Sequence, residues 1–113
     1  MKTFLFVYGT LKRHGALNGY LQQDRFVEDV ETEPGYILCS LGWYPGMIRD
    51  GNSTVKGELW EIDPARFPLL DDVEGSDFQR ETIRLKSPAK NSEAEAYLYV
   101  GEPTNKQLDF WEV

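Results

Sequence analysis

Phe4-Leu5-Phe6-Val7-Tyr8 is an unbroken apolar run that ends abruptly at Gly9, and it reads as a buried strand. A second run makes a sharper demand. From Val55 to Ile62, Val55, Gly57, Leu59 and Glu61 alternate with Lys56, Glu58, Trp60 and Ile62, so both faces of that strand carry something apolar. Such a strand belongs in a sheet that is closed or covered on both sides. The end of the first strand is a separate matter. Stopping at Tyr8-Gly9-Thr10 leaves backbone N–H groups without ladder partners, where only glycine lets another group come close. Either this is the plain end of a core strand, or the free N–H groups form an anion-binding concavity.

The remaining punctuation sets the architecture. Residues 25–30 and 35–40 read as strands separated by the turn residues Pro34-Gly35. Asp50-Gly51-Asn52 is a hairpin cue. Residues 78–85 and 94–100 read as further strands, with a polar turn over 87–92 between them. Leu17, Tyr20 and Leu21 have the spacing of one helical stripe, weakened by Gly15 and Gly19. Asp63-Pro64 is an N-cap followed by proline at the first helical position. Phe67, Leu70 and Val73 form that helix's inward stripe despite Pro68, and Gly75 suits a left-handed C-terminal cap.

Leu41 to Ile48 holds two glycines, a proline and two large aromatics, and reads as a loop pressed on apolar surface. It either walls a pocket or lets Trp43 and Tyr44 cap the core. The apolar tail from Leu108 to Trp111 is expected to fold back onto the barrel or onto a partner. The expectation is an α+β fold in one domain over 1–113: a small mixed β-barrel of about six or seven strands with two short flanking helices.

Twelve basic residues against nineteen acidic ones give a net charge of −7, which argues against nucleic acid or anionic membrane as partner. Cys39 is the one cysteine, which excludes an intramolecular disulfide and reads as a small buried residue. His14 is the one histidine, so no metal cluster of His and Cys and no nucleophile–His pair without it can form. Met1-Lys2 leads straight into strand-like sequence, with no apolar signal region, and a cytoplasmic protein without a membrane span is expected. Lys12-Arg13 is either a solvated face or a grip on a carboxylate.

Asp71, Asp72 and Glu74 crowd the end of the second helix. The negative end of the helix dipole raises their proton affinity, and a carboxyl moved toward neutrality suits a proton shuttle. The alternative is an ordinary solvated helix end. A glycosidase pair cannot be read from spacing alone, and carboxylates without a histidine make a poor metal site. Gly9-Thr10-Leu11-Lys12 lacks the further glycines of a phosphate-binding or dinucleotide loop.

Several segments taken together carry a resemblance. Phe6-Val7-Tyr8-Gly9-Thr10-Leu11-Lys12-Arg13, Tyr44-Pro45-Gly46, Val55-Lys56-Gly57-Glu58-Leu59-Trp60, Leu70-Asp71 with Glu74-Gly75 and Arg80, and Ala96-Tyr97 with Tyr99-Val100 resemble the γ-glutamylcyclotransferase-like family. This is the group that includes the AIG2-like and γ-glutamylamine cyclotransferase proteins, and the resemblance covers nearly the whole chain in order. It implies a compact mixed β-barrel and an enzyme that releases an amine or amino acid from a γ-glutamyl compound by forming 5-oxoproline. It implies Glu74 as the acid/base and the Tyr8, Gly9, Thr10 and Leu11 loop as the substrate-binding backbone, with no cofactor or metal. The family motif more often has a tyrosine where this chain has Phe78. The substrate's α-amine is the nucleophile, in keeping with a chain that offers no nucleophilic pair. The alternative is a binding module of the same fold that holds a γ-glutamyl or other small carboxylate without turnover.

Overall fold

In the computed structural model of the chain, described over residues 2–86, 93–104 and 106–112, eight strands form one mixed sheet. They are β1 (Thr3–Val7), β2 (Arg25–Glu31), β3 (Ile37–Ser40), β4 (Pro45–Ile48), β5 (Lys56–Ile62), β6 (Phe78–Arg84), β7 (Glu93–Tyr99) and β8 (Gln107–Leu108). Their order is β2-β5-β1-β7-β4-β3-β8, with β6 pairing β7. The strip β2-β5-β1-β7-β6 curls until its ends meet at one antiparallel bridge, Thr32 with Leu85. Two backbone hydrogen bonds close this seam, Glu33 N to Arg84 O at 3.0 Å and Lys86 N to Glu31 O at 2.9 Å. The fold is α+β as expected, and the small mixed barrel takes the form of a curled half-barrel.

The apolar runs are explained by two cores. Successive residues of a strand face opposite sides, and here each side has its own apolar cluster. Phe6 and Tyr8 of β1 join Leu38, Met47, Leu59, Ala96 and Leu98 within the curl. Leu5 and Val7 join Trp60, Ile62, Phe67 and Leu70 on the outer face. β5 is shared in the same way, with Leu59 inside and Trp60 and Ile62 outside. Each fully buried Leu, Ile or Phe contributes about 1.5–3 kcal/mol, so neither face can be given up to solvent.

The outer core is roofed by one short helix, α1 (Phe67–Glu74), and by the 3-10 turn Asn18–Leu21. Asp63 caps as expected, its carboxylate accepting from Ala65 N at 2.9 Å, but the chain makes a 3-10 turn over Pro64–Arg66 before α1 begins. Pro68 is harmless there because the first-turn N–H groups have no intrahelical acceptor. Arg66 ties this end down by donating to Asp24 and to Tyr20 O. At the other end Gly75 has φ +82° and ψ −175°, which is open to glycine alone, instead of the left-handed cap. Its extended ψ sends the chain directly toward β6.

Three other expectations are corrected. The first helix is only a 3-10 turn, with Leu21 buried and Tyr20 exposed, as the flanking glycines allow. The turn at Asp50-Gly51-Asn52 forms, with Gly51 at φ +65°, but it joins β4 to β5, which do not pair. The connection crosses to the far side of the sheet because β5 is already flanked by β1 and β2. The segment 41–48 is a loop only in its first half: Pro45–Ile48 is wholly buried strand. The tail folds back as expected, with β8 on β3 and Trp111 against the inner core. The polar turn expected at 87–92 lies outside the described residues.

Beside the seam Thr32 is fully buried, and its hydroxyl accepts from Val55 N at 3.0 Å, fastening the end of β2 to the chain before β5. Thr32→Val leaves that N–H unpaired, and a loss of about 1–3 kcal/mol is expected. In urea denaturation this appears as a lower midpoint with an unchanged slope; an unchanged midpoint would show that this hydrogen bond does not stabilise the fold.

Candidate active site

β6 occupies one edge of β7 along its whole length, from Phe78 opposite Tyr99 to Arg84 opposite Glu93. The other edge is shared by two parallel neighbours, β1 at Glu95 and β4 at Leu98. β1 must therefore leave β7 where β4 arrives, and the sheet opens a cleft at the end of β1. Two segments wall it: Phe6 to Leu11 from β1 and its loop, and Tyr44-Pro45 from the start of β4. Glu74, Phe78 and Tyr97 complete it, and its space, counted out to the open mouth, is about 350 Å³.

All five residues singled out from the sequence, Tyr8, Gly9, Thr10, Leu11 and Glu74, line this one cleft. The close approach that requires glycine at position 9 is protein on protein: a Cβ there would stand 2.7 Å from Pro45 Cγ. The Tyr8 hydroxyl donates to Tyr97 O at 2.5 Å, and burial drives its pKa well above the ordinary tyrosine range, so it stays protonated. Three carbonyls of the loop are engaged, Gly9 O by Lys12 N at 3.0 Å, Thr10 O by Leu17 N at 2.8 Å and Leu11 O by Asn18 Nδ2 at 2.8 Å. The amides of Gly9, Thr10 and Leu11 donate to no oxygen among the described residues. A short run of such amides is a ready acceptor of negative charge.

The three carboxylates at the end of α1 separate. Glu74 lines the cleft, and burial pushes its pKa up to about 7. Desolvation, with no hydrogen bond among the described residues to offset it, does what the helix dipole was expected to do. Asp71 and Asp72 face a neighbouring open groove. Asp71 accepts from the Tyr97 hydroxyl at 2.7 Å and pairs with Arg80 at 3.2 Å. Glu74 is thus the one carboxylate lining the cleft among the described residues.

Of the open alternatives, Tyr44 walls the cleft, whereas Trp43 is 92% exposed and caps no core. Phe78 stacks between Tyr44 and Tyr99, at 6.1 and 5.7 Å between ring centroids, and leaves this wall without a hydroxyl at that position. Lys12 and Arg13 grip the protein's own groups, Lys12 the carbonyl of Trp111 and Arg13 the carboxylates of Glu58 and Asp29. Tyr97 is a cleft residue that the sequence does not single out as one, because its place depends on where α1 lands. Among the described residues no group of three or more His, Cys, Asp or Glu is placed to hold a metal, Cys39 is buried and unpaired, and no helix is long and apolar enough to cross a membrane.

Comparison with known proteins adds a second line. Residues 5–112 match the family model described as gamma-glutamyl cyclotransferase, AIG2-like. A Vibrio cholerae protein, named provisionally as a gamma-glutamylcyclotransferase, is 36% identical over 110 residues, 94% of this chain and 88% of its own. The Escherichia coli K12 gamma-glutamylcyclotransferase family protein YtfP is 34% identical over 82 residues, 71% of each chain. The crystal structure of a mouse AIG2-like protein superposes with a TM-score of 0.84 at 22% identity, covering 98% of this chain and 88% of that one, and supports the fold.

The raised pKa of Glu74 has a consequence for stability. Below pH 4.5 the carboxyl is protonated whether the chain is folded or not. As pH rises, the unfolded chain ionises first, so stability falls until pH passes about 7. Glu74→Gln cannot ionise, and near pH 8 it is expected to exceed wild type by up to about 3 kcal/mol, with no difference near pH 4. Urea midpoints at the two pH values check this; equal stability near pH 8 would mean that Glu74 is not desolvated.

Proposed function

We propose that this chain, which belongs to the gamma-glutamyl cyclotransferase, AIG2-like family, releases an amine or amino acid from a γ-glutamyl compound by closing the glutamyl moiety into 5-oxoproline. The observation that carries the reading is one cleft holding a half-buried carboxyl with a pKa of about 7 beside a loop of undonated amides.

Glu74 takes a proton from the α-ammonium, and the freed amine attacks the γ-carbonyl carbon. The new C–N bond makes a tetrahedral oxyanion, which the amides of Gly9, Thr10 and Leu11 stabilise. Each such donor contributes about 3–4 kcal/mol in enzymes where it has been measured. Protonated Glu74 passes its proton to the departing nitrogen as the old C–N bond breaks. The attacking nitrogen, now acidic, gives up its second proton along the same path, so the amine leaves as an ammonium ion and the lactam keeps one N–H. A pKa near neutrality suits both halves of this exchange. Holding a flexible chain in the ring-closing conformer is worth effective molarities on the order of 10^5 M. No side-chain nucleophile is needed. The lone cysteine, free and buried, fits a cytoplasmic setting.

The test is 5-oxoproline release over a panel of γ-glutamyl amines, amino acids and an isopeptide. Wild type is expected to turn over at least one, with kcat/KM rising through a pH of about 7. Glu74→Gln is expected to lose about 10²–10⁴-fold. Wild-type rates in Glu74→Gln would end the mechanism. Ligand-induced stabilisation without release would mark a binding module of the same fold.

A further inference from the structure

We propose that Tyr97 is the positioning residue of this cleft, holding the Tyr8–Leu11 loop through its carbonyl and the Glu74 turn of α1 through its hydroxyl. The inference rests on the reading that these two pieces act together in the reaction. Tyr8 Oη donates to Tyr97 O at 2.5 Å, and Tyr97 Oη donates to Asp71 Oδ1 at 2.7 Å. Asp71 lies one turn before Glu74, and its own carbonyl accepts from Gly75 N at 3.0 Å, the residue that ends the helix. Loop and helix end, about sixty residues apart in sequence, thus meet on two atoms of one residue of β7.

The far side of Asp71 is also held. Arg80 donates to the same Oδ1 at 3.2 Å, pairs with Glu95 at 3.5 Å, and lies 3.9 Å over the ring of Phe67 at the start of α1. This pair is partly exposed and faces the open groove, so solvent screens it. The Tyr97 hydroxyl is the link on the cleft side. Without it the last turn of α1 is free to move away from β7, and water gains access to Glu74.

The surroundings of Glu74 make such a movement measurable. Tyr8 faces it from the β1 loop, Tyr44 from the start of β4 and Tyr97 from β7, with Phe78 from β6. Asp71 and Asp72 share its helix and line the other groove, where Arg80 of β6 meets Asp71. No lysine, arginine or histidine lines the cleft among the described residues. Burial alone sustains the carboxyl's proton affinity, so admitted water lowers it.

Tyr97→Phe removes the hydroxyl and keeps both the ring and the carbonyl. Glu74 is titrated by carbon-13 NMR of its side-chain carboxyl, which needs no turnover. From about 7 in wild type, its pKa is expected to fall by about one pH unit, toward 4.5. With a substrate from the panel, kcat falls about tenfold while KM stays within about twofold. Asp71→Ala, at an exposed position, is expected to move the titration equally, and the double variant no further. Asp71→Asn still accepts the hydroxyl's hydrogen and is expected to keep the wild-type titration. An unmoved Glu74 titration in Tyr97→Phe and Asp71→Ala, or strictly additive effects, overturns the proposal even if 5-oxoproline is released. A moved and non-additive titration without any release sustains the positioning role and sinks the reaction.

Discussion

Glu58, 4% exposed on β5, is the interaction on which the cleft's shape depends. Its two oxygens receive three donors: Arg13 N at 2.9 Å and Trp60 Nε1 at 3.1 Å on one, Arg13 Nε at 3.1 Å on the other. In the ladder Glu58 also stands opposite Val7, the last residue of β1. The chain therefore leaves the sheet beside Glu58 and returns to it six residues later. Both ends of the Tyr8–Lys12 excursion are fastened to one residue, the first through the backbone ladder and the second through the Glu58 side chain, which removes most of the freedom a loop of this length has. Arg13 continues outward to Asp29 of β2 and lies over the Phe26 ring, 3.8 Å from its centroid. A buried carboxylate is expensive unless its lone pairs are filled, and here they are.

Two carboxyls, one buried and one half-buried, are thus treated in opposite ways. Glu58 is filled with donors and builds a loop. Glu74 meets no donor among the described residues and keeps its proton to near neutrality, a condition that is useless for holding a fold together and useful for moving protons. The sheet supplies the separation between these roles. It buries Glu58 among paired strands and places Glu74 where β1 and β4 part along β7.

The elements that could be read from the sequence are those whose signal is local. The doubly apolar strands, the Asp63 cap, the stop at Gly75 and the tail's return each follow from a few adjacent residues. Gly9 was legible as a point of close approach, but the approaching group, Pro45, was not, since nothing near Gly9 names a strand 36 residues away. The hairpin at Asp50-Gly51-Asn52 failed for the same reason: turn chemistry says that the chain reverses, not which edge remains free for pairing. At the site, the grouping of Glu74 with Tyr8, Gly9, Thr10 and Leu11 came from the family resemblance, because sixty residues separate the two pieces. The carboxylate of Glu58 left a faint mark, a charge on the strand face that also carries Trp60 and Ile62. The link from Tyr97 to Asp71 left none.

The parallel pairing of β1 with β7 bears on how the chain is made. The hydrogen bond between Tyr8 and Tyr97 spans 89 residues, so the cleft cannot assemble until most of the chain has been synthesised. At about 5–20 residues per second, β1 waits several seconds or more for that neighbour while it emerges from the ribosome. Its antiparallel partner β5 arrives earlier and can cover the opposite edge. The nascent protein passes through a stage in which an apolar strand edge stands open to other chains, and it leaves that stage only when β7 closes the gap and, by the same act, builds the cleft.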